Sequence, residues 1–292
     1  MNGWLVVNCF VNLQKFNEVY EMLKRSASAL GVGLQVVTSD KVLCKNFKDS
    51  KDFKRPDFVL FWDKDVILAR KLEMKGIPVF NSSKAIKICD NKKLTALCME
   101  EYDIPMPRTI CAPMTFEAFG YNNLSFLDYV IETFSFPFVI KEAYGSFGQQ
   151  VYLVESPDEA KEVIAKAGHK ELLFQEFISA SRGKDIRINV VGGKVVASMF
   201  RFNNHDFRSN ITNGGKMEKI EITKAEETIA LRACAAAGLD FAGVDVLFGP
   251  NNTPILCEIN SNPHFKTTLE CTGIDMSKHI IDHVMTKLTL AA

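Results

Sequence analysis

The chain has no excess of either charge: Lys and Arg total 35 and Asp and Glu 35 in 292 residues. No global field therefore draws it to nucleic acid or to an anionic membrane, and any anion site has to be local. Its eight cysteines, at 9, 44, 89, 98, 111, 234, 257 and 271, include no CxxC pair and no histidine at zinc-ligand spacing. That excludes a disulfide framework and structural zinc, and the cysteines read as reduced core residues. No apolar stretch approaches the roughly 18 residues needed to span a bilayer, and no basic segment precedes the Trp4-Leu5-Val6-Val7 run, so a cytoplasmic protein is expected. No G-x-G-x-x-G follows the first apolar run, which disfavours a dinucleotide-binding Rossmann unit. Neither H-R-D nor D-F-G occurs, which disfavours a protein kinase. Internal repeats and low-complexity tracts are also missing.

What is present is ordinary globular composition, 47% hydrophobic and 24% charged, in a chain long enough for about two domains. Apolar runs at Trp4–Phe10, Leu34–Thr38, Pro56–Trp62 and Ile77–Phe80 alternate with helical patterns at Asn17–Leu30 and Val66–Lys75. Residues 1–88 thus read as a small α/β layer with a parallel sheet, expected to shape part of a substrate site at its strand ends. Residues 84–101 read as helical with a break at Asp90-Asn91, a plausible N-cap. Beyond them, Leu124–Thr133, Asp158–Ala167, 224–237 and 278–289 read as helices. Phe138–Val154 reads as strand, glycine-bearing loop and strand, Leu172–Ile178 as a strand, and Asp185–Val191 with Lys194–Phe202 as a hairpin about Gly192-Gly193.

The most informative stretch is 243–262, GVDVLFGPNNTPILCEINSN. Its apolar runs Val244–Phe248 and Ile255–Ile259 flank a Gly/Pro/Asn turn, the pattern of a β-hairpin. A turn centred on Asn251-Asn252 places Asp245 directly opposite Glu258, with Asn260 a diagonal neighbour on the same face. Like charges facing each other across a hairpin destabilise it unless a cation compensates them. Three oxygen ligands at this spacing suit Mg²⁺ or Mn²⁺.

Two further features point to phosphate. Lys141 ends an apolar strand just before Gly145-Ser146-Phe147-Gly148-Gln149, whose backbone can fold over an anion, and its ammonium needs a polar partner. Lys92 offers a second cation beside the Asn91 cap. Each of these alone reads equally as a turn or a solvated lysine. The segment Gln175-Glu176-Phe177-Ile178 ends a strand as a linker against which an adenine fits.

The ordered series DNKKLT (90–95), IPMPRT (104–109), VIKEAYGSFGQQV (139–151), FQEFI (174–178), GKDIRINVVGGKVVASMFR (183–201), FRSNITNGG (207–215), AGVDVLF (242–248) and EINSNP (258–263) resembles the ATP-grasp superfamily, specifically its RimK-type carboxylate–amine ligases. The resemblance spans nearly the whole chain. It implies a mixed α/β and α+β architecture: a small parallel-sheet layer (1–88) preceding an ATP-grasp unit (89–292), with a small lobe at about 109–180 and a C-terminal lobe at about 181–292. It implies ATP on Lys92, Lys141, the loop Gly145, Ser146, Phe147, Gly148 and Gln149, the hinge Gln175, Glu176, Phe177 and Ile178, and Asp185 and Arg201. Metal on Asp245, Glu258 and Asn260 agrees with the hairpin geometry. Arg187, Arg208 and Asn210 fall where the family faces the transferred phosphate and the acid. After EIN this chain reads Ser261-Asn262-Pro263-His264, where relatives commonly carry a second serine and a glycine around that proline.

The implied activity is ADP-forming: ATP phosphorylates a carboxylate, and an amine attacks the acyl phosphate to give an amide. Glutamate or a similar amino acid is the implied amine, and the acid is a small metabolite or a peptide C-terminus. Nucleic-acid and membrane partners are not expected, and a homo-oligomer is compatible with the sequence. The competing reading is a regulatory module that holds ATP without turnover. Retention of Asp245, Glu258, Asn260 and Arg187 together argues for the enzyme.

Overall fold

A computed structural model describes residues 1–43 and 54–291; Cys44 lies outside them. The first layer is a four-stranded parallel sheet in the order β2-β1-β3-β4, built from β1 (Asn2–Val7), β2 (Gly33–Thr38), β3 (Phe58–Trp62) and β4 (Val79–Phe80). Its connections include α1 (Gln14–Ala29), α2 (Ser39–Leu43) and α3 (Val66–Met74), and Asp65 caps α3 by accepting the Leu68 N–H. Strands buried on both faces explain the unbroken apolar runs. Trp4, Val6, Val59 and Phe61 pack towards α3, while Leu5, Leu60 and Trp62 join a core shared with α1 and the C-terminal helix.

Helices α4 (Ser83–Asp90) and α5 (Lys92–Glu101) meet where the sequence predicts the break. Asn91 ends the first and caps the second, its Oδ1 accepting from the Lys93 and Leu94 N–H groups. The second sheet has the order β5-β8-β6-β7, from β5 (Thr109–Cys111), β6 (Phe138–Glu142), β7 (Val151–Val154) and β8 (Leu172–Glu176). Helices α6 (Ser125–Phe134) and α7 (Pro157–Ala167) cover its apolar face, where Phe138, Ile140 and Phe174 are fully buried.

The third sheet, β11-β10-β9-β12-β13, is antiparallel and contains β9 (Lys184–Val191), β10 (Lys194–Phe202), β11 (Lys216–Lys219), β12 (Phe241–Phe248) and β13 (Pro254–Asn260). Strand alternation gives it two unlike faces. Ile186, Ile188, Val190, Val244 and Val246 point to the back, against Ile229, Ala230, Ala233 and Ala237 of α8 (Lys224–Ala237). Asp185, Arg187 and Asp245, one residue out of phase, occupy the front. Helices α9 (Lys266–Thr272) and α10 (Met276–Ala291) end the chain, and Met276, Ile280, Ile281 and Val284 pack into the core of the first layer.

The 243–262 hairpin forms, with one correction to its turn. The loop is Gly249–Thr253, five residues centred on Asn251, closed by Gly249 N–H to Thr253 O at 2.8 Å, with Asn251 and Asn252 at φ +55° and +59°. Left alone, that loop would shift the pairing by one residue. A bulge at Cys257 shifts it back, so Val246 faces Leu256 while Asp245 still faces Glu258. The same bulge resets the alternation, which lets both Leu256 and Ile259 reach the back core.

Short β5, β11, α2 and α9 have no clear periodic signal and were not anticipated. The cysteines are not uniformly core: every described one is unpaired, but only Cys98 and Cys234 are buried and Cys111 is exposed. Among the described residues no helix is long and apolar enough to cross a membrane.

Candidate active site

The front face of the third sheet carries a charge network built rung by rung. Arg201 on β10 pairs with Asp185 on β9, Arg187 on β9 with Asp245 on β12, and Asp245 with Glu258 on β13. Arg201 Nε and Nη2 donate to the two Asp185 oxygens at 2.8 and 2.5 Å. Arg187 Nε donates to Asp245 Oδ1 and its Nη2 to Oδ2 at 2.8 Å, and Arg201 Nη2 also lies 3.0 Å from Asp245 Oδ2. These four side chains are buried, Asp245 to 2% exposure. Gly243 leaves the space they need, because a Cβ there would come within 2.7 Å of Arg187 Nη1.

Two buried carboxylates sharing Arg201 have opposed ionisations. Burial raises the Asp245 pKa, but Arg187 and Arg201 together overcome this and hold it at about 2. Burial and then the Asp245 charge push Asp185 up, against the pull of Arg201. Both Asp185 oxygens face Arg201, and Asp185 also lines the cleft between the second and third sheets.

Glu258 lies across from this network. It forms no ion pair among the described residues, and its Oε1 accepts the Asn260 Nδ2–H at 3.2 Å. Asp245, Glu258 and Asn260 thus share one face as the hairpin pattern predicts, with Asp245 and Glu258 directly opposite in the ladder. Among the described residues no three His, Cys, Asp or Glu side chains form a metal cluster, and the three-oxygen set expected here counts the Asn260 amide as its third member. Two carboxylates and an amide oxygen on one face are a hard donor set, and the carboxylate without an ion-pair partner among the described residues is Glu258, which suits Mg²⁺ or Mn²⁺.

The second sheet faces this network across a cleft. Its lining includes Lys141, Gln175, Glu176, Phe177, Ile178, Asp185, Arg201, Arg208, Asn210, Asp245 and Glu258. Strand pairing stops at Glu176, whose carboxylate is held by Arg108 Nε at 2.6 Å, so Phe177 and Ile178 continue past the ladder into the cleft wall. Lys92 projects from the first turn of α5, its Nζ donating to Gly145 O at 3.3 Å. Burial lowers its pKa, and the nearby Glu258 carboxylate opposes that shift. Lys92 and Lys141 line one small cavity with Glu258 and Asn260. Apolar walls, two lysines and an open strand end fit an adenine nucleotide.

The loop 145–149 bridges all three sheets. Gly148 has φ +71°, and a Cβ there would lie 2.7 Å from Asn210 Oδ1. The Gly148 carbonyl accepts from Arg208 Nη1 at 2.5 Å, and Asp206 holds the rest of that guanidinium at 2.7 and 3.0 Å. Arg208 thus lines this cleft and latches the loop, while Asn210 lines both the cleft and the cavity beyond it. Gly148 and Gln149 line neither.

A second cavity opens on the other side of Glu258, lined by Ser146, Phe147, Arg187, Arg201, Asn260 and the segment Ser261–His264. The first layer contributes Lys15, Phe16 and Lys64, as its strand ends were expected to. Sequence reasoning did not single these residues out. Lys15 Nζ sits 3.8 Å from the Phe147 ring centroid, and Lys64 Nζ donates to Ser146 Oγ at 3.2 Å. Nothing local in the sequence marks them, because they reach the site only through tertiary packing. Arg108, which positions Glu176, was missed for the same reason, whereas Asp206 holds Arg208 from only two residues away in a loop with no periodic signal.

Comparison with known proteins agrees with this geometry. Residues 89–284 match the family described as the RimK-like ATP-grasp domain. A protein named probable alpha-L-glutamate ligase, from Maridesulfovibrio salexigens, is 35% identical over 220 residues, covering 74% of this chain and 70% of its own. The human N-acetylaspartylglutamate synthase A is 30% identical over 228 residues, 77% of this chain and 57% of that protein. Among solved structures, the D-alanine–D-alanine ligase from Bacillus anthracis in complex with ATP superposes with a TM-score of 0.73 at 19% identity, covering 100% of this chain and 98% of its own.

Proposed function

Because the chain belongs to the RimK-like ATP-grasp family of ligases, we propose that it joins a carboxylic acid to the amino group of L-glutamate or a similar amino acid, with cleavage of ATP to ADP and phosphate. The observation that carries this reading is the position of Glu258, which lines the cleft between the second and third sheets, the cavity of Lys92 and Lys141, and the second cavity alike. Phosphoryl transfer between two substrates needs such a shared wall.

In this reading the second and third sheets are the two lobes that grip ATP. Lys92 and Lys141 neutralise its phosphates, and the loop 145–149 covers them. An oxygen of the acid attacks the γ-phosphorus, the bond to the β-phosphate oxygen breaks, and ADP leaves. The amine nitrogen then attacks the acyl-phosphate carbon, phosphate departs and the nitrogen loses a proton. A divalent cation on Asp245, Glu258 and Asn260 would supply charge neutralisation. Arg187 and Arg201, fixed by Asp245 and Asp185, are rigid guanidinium groups at the wall of the second cavity and stabilise the negative charge passed between the substrates. No protein nucleophile is needed.

The amine assignment comes from the relatives' names; the acid is a small metabolite or a peptide C-terminus, and a cytoplasmic setting with ATP at hand suits the chemistry. The test is a screen of ADP release against pairs of acids with L-glutamate, with product masses read by mass spectrometry. Product without stoichiometric ADP contradicts the reading.

A further inference from the structure

The sequence pattern leaves Asn262 unexplained, and the structure ties it to a residue of the first layer. Asn262 lines the second cavity, and its Nδ2 donates to the backbone carbonyl of Asp63 at 3.0 Å. Its Oδ1 is buried and meets no donor. Asp63, which follows the carboxyl end of β3, is 7% exposed. Its Oδ1 accepts from the Lys64 N–H at 2.6 Å and Asn8 Nδ2 at 3.2 Å, whereas its Oδ2 is likewise buried without a donor.

Among the described residues no cation pairs with Asp63. The neighbouring Lys64 sends its ammonium to Asp90 and Ser146 instead. Tyr20 lies close enough for the Asp63 charge to add to the effect of burial on its phenol, yet no hydrogen bond joins them. Buried carboxylates are paired, and buried amide oxygens accept hydrogen bonds. Here one of each is unpaired, and the two residues are bonded together.

We propose that Asp63 and Asn262 form the seat for the ammonium group of the amine substrate. An ammonium has three N–H donors and a positive charge, so it answers an orphaned amide oxygen and an unpaired carboxylate alike; a water molecule supplies hydrogens without the charge. The place also suits the reaction. The carboxyl ends of a parallel sheet are where such layers bind ligands, and Asn262 lies two residues beyond Asn260, on the cavity wall that Glu258 shares with the nucleotide cleft. The seat rests on the ligase reading for the identity of its occupant, but its preference for a cation follows from the orphaned oxygens alone.

Two experiments separate these dependencies. In the first, KM for L-glutamate and for ATP are measured for the full chain and for Asp63→Asn and Asn262→Ala. Losing a hydrogen bond to a charged group weakens binding by about tenfold to a hundredfold, so KM for L-glutamate should rise by that factor in either variant while KM for ATP stays unchanged. Asp63→Asn keeps the Oδ1 acceptor and places an N–H₂ group where the orphaned Oδ2 stood, so its melting temperature should not fall. An unchanged glutamate KM together with a lower melting temperature would make Asp63 structural and overturn the seat. In the second, crystals are soaked in thallium(I) acetate, a monovalent ion that substitutes for ammonium. An anomalous peak touching Asp63 Oδ2 and Asn262 Oδ1 supports the seat, and the lack of one overturns it. If the wild type shows no turnover with L-glutamate, the ligase reading fails and the soak alone decides the seat.

Discussion

Asp245→Asn and Glu258→Gln each remove one charge from the same rung of the hairpin, yet the structure predicts different consequences. Asp245 neutralises Arg187 through two hydrogen bonds and shares Arg201 with Asp185. In Asp245→Asn, Arg201 keeps Asp185, but Arg187 loses the one carboxylate that pairs with it among the described residues. Leaving a buried charge uncompensated costs about 3–5 kcal/mol. Unfolding entropy of about 2.1 cal/mol/K per residue amounts to ~0.6 kcal/mol/K for this chain, so the melting temperature should fall by about 5–8 °C. Among the described residues Glu258 has no ion-pair partner to strand, and Glu258→Gln should shift melting by less than about 2 °C. Both variants should lose turnover by about a hundredfold or more, because each removes charge from the proposed metal site. Scanning calorimetry reads the first difference, and Mg²⁺-dependent binding of a non-hydrolysable ATP analogue reads the site without needing the acid substrate. Equal stability of the two variants would refute the account of the arginine network, and undiminished Mg²⁺ dependence in Glu258→Gln would refute the metal assignment.

The other expectations are simpler to check. Asp240 accepts from His283 and Lys287 at 2.9 and 2.6 Å, and although burial raises its pKa, these bonds bring it below the usual value. A depressed folded pKa contributes stability that is present above the unfolded value of about 4 and lost as pH falls through the folded one. Asp240→Asn should therefore destabilise by about 1–3 kcal/mol at pH 7, with the difference closing below about pH 4 in urea titrations. Gly148→Ala strains a left-handed residue and drives its Cβ against Asn210. It should weaken nucleotide binding by about tenfold in calorimetry with little change in melting, and unaltered affinity would show that the loop does not close over the phosphates.

The sequence made the sheets and the hairpin face readable because both rest on short-range patterns. The Ile186/Ile188/Val190 alternation, the Asn91 cap and the Gly192-Gly193 turn are local. Asp245 opposite Glu258 was also derivable, though by a route that omitted two compensating irregularities: a five-residue loop shifts the register one way and the Cys257 bulge shifts it back. Neither leaves a mark in hydrophobic periodicity. The arginines were assigned to the site, but their partners were not. Arg187 and Arg201 meet Asp245 and Asp185 only because β9 lies between β10 and β12, a strand order that periodicity does not determine. Lys15, Phe16 and Lys64 were out of reach for a similar reason, since the first layer brings them to the cavity from some 200 residues upstream of Asn260, and Asp63 meets Asn262 by the same packing. Arg208 sits between these cases: its place near the phosphates was expected, while its bonds to Asp206 and Gly148 depend on the fold of loops.

The most direct test of the central claim follows an oxygen atom. An acid labelled with ¹⁸O in its carboxylate, chosen as an acid that supports ADP release, is incubated with Mg²⁺, ATP and L-glutamate, and the released phosphate is analysed by mass spectrometry. An acyl-phosphate route transfers one ¹⁸O into inorganic phosphate for each amide formed, with ADP in equal amount. Unlabelled phosphate, or release of AMP in place of ADP, would contradict the assignment of this chain as a carboxylate–amine ligase working through an acyl phosphate.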